Sequence, residues 1–147
     1  MKKLVLLAAA AASLSAFAVT AHADETNQSI VHRQAIYKLA AAHMQGIKAG
    51  LLLKGPTNNA AWHAEGIVDA FKHMGDAYPA GSDKGETKAK ANIWTEPAKF
   101  QEAGKKAFGA AVALAEATKA GDQAKSIEAF KALGGTCKSC HEEFRKD

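Results

Sequence analysis

The chain has 147 residues, of which 48% are hydrophobic and 23% are charged, and it contains 12 Gly, 3 Pro and 2 Cys. These values are typical of one globular domain and exclude a disordered, collagenous or disulfide-rich chain. The formal net charge of +4 includes Lys2 and Lys3 at the N-terminus, and without them too little charge remains to indicate a nucleic-acid partner.

The N-terminus has the three parts of a secretory signal peptide. Lys2 and Lys3 are followed by an apolar run at Leu4–Val19 and by the small residues of Ala21-His22-Ala23. A basic start, an apolar run and an A-x-A tripeptide occur in this order in signal peptides. The run is shorter than the roughly 20 residues of a membrane-spanning helix. We therefore predict cleavage after Ala23, a mature domain at residues 24–147 in the periplasm, and no membrane insertion after cleavage.

The first two predicted helices follow this segment. Apolar residues recur at steps of three, four and seven, which is the spacing of one helix face; they are Ile30, Tyr37, Ala40, Met44, Ile47 and Leu51. The pattern predicts a helix from about Asn27 to Leu53, which Gly55-Pro56 ends because proline cannot continue a helix. A second helix is predicted from about Asn59 to Tyr78-Pro79, and its large apolar residues are Trp62, Ile67, Phe71 and Met74.

Two further helices complete the predicted fold. A polar crossover at residues 80–91 precedes a third helix, for which Thr95 is the predicted N-cap and Pro97 lies near the first helical position. This helix is predicted to end near Gly121, and Asp122 is the predicted cap of a fourth helix that runs to the C-terminus. Four amphipathic helices without a strand predict an all-α, antiparallel four-helix bundle, a fold that builds cofactor sites between its helices.

The most specific motif of the chain is Cys137-Lys138-Ser139-Cys140-His141, close to the C-terminus. C-x-x-C-H is the attachment pattern of c-type haem. Residues three and four apart share a helix face, so the two cysteines can form thioethers to one haem while His141 presents its ring to the iron. The pair Gly134-Gly135 one turn earlier leaves room for a bulky group to approach the backbone. We predict one covalent haem c, attached through Cys137 and Cys140, with His141 as the iron ligand.

Three other uses of the cysteines are less favoured. A structural zinc site needs four Cys or His ligands, and the sequence has no second C-x-x-C or H-x₃₋₅-H pair to supply them. A thioredoxin-like dithiol is found near a βαβ pattern, whereas no strand is predicted. A disulfide within one helical turn would leave His141 without a role.

With this motif at the end of a predicted bundle, the chain resembles the class II cytochromes c, the group of cytochrome c′ and cytochrome c-556. The similarity covers the whole mature chain, and the segments that carry it are Arg33–Tyr37, His43–Lys48, Ile93-Trp94, Phe100 and Cys137–Arg145. The resemblance implies a four-helix bundle with its haem near the C-terminal helix.

The resemblance also implies that the residue opposite the axial histidine decides the chemistry. Methionine at that position gives a six-coordinate, low-spin iron suited to electron transfer, and a non-ligating side chain leaves a five-coordinate iron that binds a small gas. This chain has Tyr37 at the matching position. A phenol has a pKa near 10, so its ligation to iron needs a strongly deprotonating environment. Met44 is the rival ligand, although methionine at this spacing is more often a core residue.

Five further residues are assigned by the resemblance. Arg33 and Gln34 match a pair that contacts the haem propionates, and arginine is a charged bidentate donor for a carboxylate. Ser82 and Asp83 lie in a loop similar to a Gly-Thr-acid segment beside a propionate. Arg145 lies one turn beyond the axial histidine. It is either a charge that acts on the proximal side of the haem or an ordinary cation at a helix C-terminus.

The predicted function is that of a periplasmic haem protein that binds NO or CO and has some electron-carrier capacity. The alternative is a low-spin electron-transfer cytochrome of the c-556 type. Enzymatic activity is not predicted, because His43 lies off the apolar stripe, either exposed or at an interface, and supplies no distal acid–base pair. Three more histidines are predicted to be surface residues: His32, His63 and His73. The resemblance implies a homodimer through the first two helices, which Leu52 and Leu53 would allow, and no redox partner is identified.

Overall fold

The computed structural model describes residues 18–53, 55 and 59–147, with side chains from residue 28 onward. Its five helices are α1 (Ala18–Leu52), α2 (Ala60–Lys72), α3 (Asn92–Thr95), α4 (Pro97–Lys119) and α5 (Gln123–Phe144). Across these residues there is no strand, only an isolated antiparallel bridge between Ala89 and Arg145. The all-α prediction is confirmed, with four long helices and the short α3 added between α2 and α4.

Helix α1 extends across the predicted cleavage site. It begins at Ala18, earlier than the predicted start at Asn27, whereas residues 1–17 of the predicted signal peptide lie outside the described residues. None of the helices in the described part of the chain combines the length and apolar character needed to cross a membrane. Cleavage after Ala23 stays a prediction.

The observed helix ends agree with the predicted ones where the sequence signal is local. The Asp122 side chain accepts a hydrogen bond from Lys125 N at 3.0 Å, so this N-cap is confirmed. Pro97 is the first residue of α4, as predicted, but Thr95 is not its cap. Thr95 is the last residue of α3, with its backbone N–H bonded to Ala91 O at 3.3 Å, and Glu96 occupies the N-cap position of α4 instead.

The second helix ends earlier than predicted. Helix α2 stops at Lys72, and the chain then turns, with His73 N donating to Ala70 O at 3.3 Å. Ala77 is buried after this turn, and its carbonyl accepts a hydrogen bond from Arg33 at 3.3 Å. The segment after α2 is thus drawn against α1 instead of continuing the helix to Tyr78.

The core lies where α1, α2, α4 and α5 meet. Helix α4 packs against α2 and α5, and α2 packs against α1. Each of the four helices contributes one fully buried large aliphatic side chain; these are Ile47, Ile67, Leu114 and Leu133. Burial of a side chain of this size stabilises the fold by about 1.5–3 kcal/mol. Trp62, predicted on the apolar face of α2, is instead 63% exposed.

Helices α1 and α2 meet at a pair of histidines, His43 and His63, which we call the histidine contact. Their Nδ1 atoms are 3.1 Å apart, and Trp62 packs edge-on against both rings. A Cβ on Gly46 would collide with His63, and a Cβ on Gly66 would collide with His43. The prediction of His63 as a surface residue is wrong, because these glycines let each ring enter the helix interface. His43 lies at an interface, one of its two predicted positions.

Candidate functional site

The last turns of α5 present the cysteine motif. Cys137 and Cys140 lie one turn apart, both half-buried and neither in a disulfide. Cys137 packs against the core cluster, whereas His141 is exposed. The end of the helix is held by the segment before α3, since Lys90 N donates to Phe144 O at 2.9 Å. The regular helix therefore brings two thiols and an imidazole to one short region, as the spacing predicted.

The backbone of α5 is accessible one turn before the cysteines. Helix α5 continues without a break through Gly134 and Gly135. A Cβ added at either glycine would meet nothing within 4 Å. A flat group can therefore lie against this part of the helix and reach both thiols.

The surroundings of the motif favour the neutral forms of its three side chains, although His141 is exposed at its surface. Burial raises the pKa of the Cys137 thiol and, more than the neighbouring Cys137 and Glu143, that of Cys140. Burial is also the larger cause that lowers the pKa of His141, and the positive charge of Arg145 lowers it further. A neutral imidazole is the form that binds a metal.

Two tyrosines face this region from α1 and from the turn after α2. The Tyr78 hydroxyl donates a hydrogen bond to the Tyr37 hydroxyl at 3.2 Å. Burial is the main cause that raises the pKa of Tyr37 far above its ordinary value of 10.0, and Tyr78 and Cys140 raise it further. Tyr78 is also within electrostatic range of Cys140. Both phenols are thus within electrostatic range of the α5 motif.

Arg33 fixes the loop that carries Tyr78. It is only 2% exposed. Its Nη1 donates to Ala77 O and, at 2.9 Å, to Ser82 Oγ. Its Nη2 donates to Ser82 O at 2.7 Å and to Thr87 Oγ1 at 2.9 Å. These four bonds use both hydrogens of each terminal nitrogen, so the guanidinium orders the loop from residue 77 to residue 87.

Aromatic rings connect Tyr78 to α3, α4 and α5. The Tyr78 ring lies 4.8 Å from that of Phe100 and 5.9 Å from that of Trp94, centroid to centroid. Phe100 in turn lies 5.2 Å from Phe144. The Arg33 guanidinium stacks over the Tyr78 ring at 4.8 Å. Tyr78 is therefore held on several sides by rings and by a cation.

The remaining predicted residues have distinct environments. Gln34 Nε2 donates to Glu86 O at 2.9 Å, and Asp83 is half-buried beside the buried Ser82. Arg145 is exposed, and its backbone N–H donates to His141 O at 3.0 Å as α5 ends. His32 and His73 are exposed, as predicted. The rival ligand Met44 is half-buried and packs against the core cluster, which agrees with its interpretation as a core residue.

The donors on α5 fit a covalently attached haem. Two half-buried thiols one turn apart, an adjacent exposed histidine and open backbone at the glycines are the features that the motif requires. Within the described residues, no group of three or more His, Cys, Asp or Glu side chains is arranged to hold a metal ion. Sequence reasoning missed Tyr78, whose partner Tyr37 is forty-one positions away in the chain.

The sequence is similar to one family along nearly all of its described length. The family model described as Cytochrome C′ matches residues 28–145. The cytochrome c′ of Rhodospirillum rubrum is 34% identical over 151 residues, with all of both chains covered. The cytochrome c′ of Pararhodospirillum photometricum is 40% identical over 121 residues, which are 80% of this chain and 95% of that protein.

Solved structures give the same result for the fold. Cytochrome c prime from Shewanella frigidimarina superposes with a TM-score of 0.79 at 34% identity, over 83% of this chain and 97% of the other. Cytochrome c′ from Rubrivivax gelatinosus superposes with a TM-score of 0.77 at 32% identity, over 82% of this chain and 97% of the other. A nitric oxide complex of a variant cytochrome c prime from Alcaligenes xylosoxidans superposes with a TM-score of 0.77 at 25% identity, over 83% of this chain and 96% of the other.

Proposed function

The chain belongs to the cytochrome c′ family and carries haem c, and from this premise we propose that it binds small gases at a five-coordinate haem iron in the periplasm. The observation that carries the proposal is the environment of Tyr37. Burial and the neighbouring Tyr78 raise the pKa of Tyr37 well above its ordinary value. The side chain therefore stays a neutral phenol, which would be a poor ligand for the iron.

Cys137 and Cys140 are the proposed attachment points, and His141 is the proposed iron ligand. When bound, the haem supplies an iron that coordinates a diatomic gas and that can accept or release one electron. The protein contributes a regular helix that fixes the spacing of the thiols, and surroundings that lower the pKa of the imidazole and so favour its neutral, metal-binding form. Replacing both cysteines by alanine should abolish haem that survives denaturing electrophoresis, whereas Ser139→Ala on the same helix should retain it. Retention in the double variant would contradict the assignment.

Arg33, Gln34, Ser82, Asp83 and Arg145 are proposed to surround the haem edge. Arg33 and Gln34 hold the loop from residue 77 to residue 87 through its carbonyl and hydroxyl groups. This gives both residues an ordering role, and in Arg33 only the Nε–H is left for the predicted contact with propionates. One observation supports the proposed role of Arg145 on the proximal side of the haem, because its charge helps to lower the pKa of His141.

The decisive experiment is the visible spectrum of the exported protein, ferric and ferrous, with and without CO. We expect a high-spin ferrous spectrum that shifts when CO is added. Met44→Leu distinguishes the alternative c-556 type, in which a protein side chain closes the iron. If Met44 ligates, this variant converts a low-spin spectrum to a high-spin one; if Met44 is the core residue that its packing indicates, the spectrum is unchanged. A low-spin, CO-insensitive wild-type spectrum would contradict the proposed function.

Nitric oxide is proposed as a ligand because a related Alcaligenes xylosoxidans protein has been solved as its nitric oxide complex. We propose binding without catalytic turnover. The candidate acid–base residue His43 is 3.1 Å from His63 at the histidine contact, where it is engaged with α2. Turnover of NO or peroxide that is lost in His43→Ala would contradict a purely binding role.

Export and dimer formation are the remaining parts of the proposal. Mass spectrometry of the exported protein should give an N-terminus at Asp24 if the signal peptide is cleaved as predicted. A homodimer through α1 and α2 is supported by their exposed apolar side chains: Val31, Leu39, Leu52, Leu53 and Trp62. Sedimentation should give the mass of two chains with two haems, and a mass of one chain would refute the dimer.

A further inference from the structure

We infer that Tyr78 is a positioning residue, which holds the Tyr37 ring at the gas-binding side of the haem and thereby limits access to the iron. This inference rests on the proposed function. It assigns a role to a residue that lies outside the cysteine motif and on a different element from Tyr37.

The hydrogen bond between the two hydroxyls links the position of the Tyr37 ring to that of Tyr78. Tyr78 donates to Tyr37 at 3.2 Å, whereas O–H···O bonds are most often near 2.7–2.8 Å. The bond is therefore weaker than a typical bond between two hydroxyls.

The surroundings of the two rings differ, and the difference identifies which ring is the anchor. Tyr78 lies under the Arg33 guanidinium and against Phe100 and Trp94. Arg33 is itself fixed by bonds to the loop, including those to Ser82 at 2.7 and 2.9 Å. Tyr37 is 36% exposed and stands on α1 between the exposed Lys38 and the buried Ile36. Its hydroxyl is tied to the anchored ring, so loss of the bond frees Tyr37 and not Tyr78.

The expected consequence is a change in ligand binding that depends on both tyrosines. A neutral hydrogen bond of this kind is worth a factor of roughly 2 to 12 in an equilibrium constant. If the bond holds Tyr37 in the ligand's path, removing it should raise the CO association rate and affinity of the ferrous protein by a factor in this range. Tyr78→Phe is the appropriate variant, because it keeps the ring that packs against Arg33 and Phe100.

The test is a double-mutant cycle of Tyr78→Phe, Tyr37→Phe and the double variant, measured by CO rebinding and equilibrium titration. We expect Tyr78→Phe to increase the CO association rate in wild type and to have no effect in the Tyr37→Phe background. Equal effects in both backgrounds would show that Tyr78 acts without Tyr37 and would overturn the inference. A Tyr78→Phe variant that binds CO like wild type would also overturn it, and the proposed function would remain.

A second readout does not depend on gas binding. The chain has only two tyrosines, so the tyrosine signal of Tyr78→Phe reports Tyr37 alone. Ultraviolet resonance Raman spectra of the ligand-free protein should show that the Tyr37 hydroxyl loses its accepted hydrogen bond in this variant. An unchanged Tyr37 signal would overturn the inference. Wild-type protein that does not bind CO would instead refute the proposed function, and the inference with it.

Discussion

Helix α1 makes two hydrogen-bonded contacts between like side chains, and they differ in how far the surroundings enclose them. In the histidine contact, each ring lies over a glycine of the opposite helix, and His43 is only 9% exposed. In the contact between Tyr37 and Tyr78, which we call the tyrosine contact, the Tyr78 ring is half-buried against Phe100. Tyr37 is 36% exposed as a whole residue, although its hydroxyl lies in a buried environment. The difference indicates that α1 is fixed to α2 at the histidines and remains adjustable at Tyr37. In the proposed function this adjustment would matter, because a gas would have to pass the Tyr37 ring.

Both contacts favour the neutral form of their side chains, although a tyrosine becomes charged by losing a proton and a histidine by gaining one. Burial raises the pKa of Tyr37 and Tyr78, which resist loss of a proton. Burial, together with the neighbouring His63, lowers the pKa of His43, which resists gain of a proton. The tyrosine contact is therefore insensitive to pH near neutrality, whereas the histidine contact responds as the pH falls.

The largest expected effect comes from breaking the anchor on the tyrosine side. Arg33→Met removes four hydrogen bonds to the loop and leaves buried acceptors such as Ser82 O without a donor. The free energy of unfolding should fall by about 3–5 kcal/mol, measured by denaturant unfolding of the haem-loaded protein. Gln34→Ala, which removes one exposed bond to Glu86, should change it by less than about 1 kcal/mol. Similar effects of the two changes would contradict the role of Arg33 as the anchor.

An intermediate effect is expected from overfilling the histidine contact. Gly46→Ala places a methyl group where the His63 ring lies, and forced repacking of this kind destabilises by about 1–3 kcal/mol. Gly109→Ala in α4 is the matched control, because its added Cβ would meet nothing within 4 Å. That change should stabilise the protein by roughly 1 kcal/mol through helix propensity alone. Thermal unfolding of both variants measures this difference in stability. Stabilisation by Gly46→Ala would contradict the close packing of Gly46 against His63.

The smallest effect is the pH dependence of the histidine contact. The pKa of His43 in the folded protein lies below its ordinary value of 6.5, so the unfolded chain takes up the proton first as the pH falls. The contribution of His43 is complete above about pH 6.5 and is lost progressively below it, towards the lower pKa of the folded state. Denaturant unfolding of wild type and of His43→Gln from pH 8 to pH 5 should give a shallower decline for the variant. Parallel curves would contradict this linkage.

Much of the site could be predicted because it is local in sequence. Cys137 and Cys140 are three residues apart, and a helix places such residues on one face whatever surrounds it. The Asp122 cap and Pro97 at the start of α4 are equally local, and the structure confirms both. The prediction of Thr95 as an N-cap was wrong because α3 ends at that residue. A helix of four residues is too short to show a periodic pattern in the sequence.

The residues that sequence reasoning missed depend on partners far away in the chain. Tyr78 was missed because it matters through Tyr37. Arg33 and Ser82 were predicted as site residues, but their hydrogen bond to each other was not. No periodicity connects such positions, since their distance is fixed only when helices pack. The exposure of His63 was wrong for the same reason, because it depends on Gly46 of the other helix.

The sequence by itself determined the helical class, the bundle and the haem-attachment motif, since these follow from helix periodicity and from spacings within one turn. Only the tertiary structure decided which side chains enclose the site and which enclose the α1–α2 interface. The hydrogen bond of Tyr37 to Tyr78 and the packing of His43 against Gly66 arise when separate helices meet. Their formation depends on the shapes that the helices present to each other, which no single segment contains.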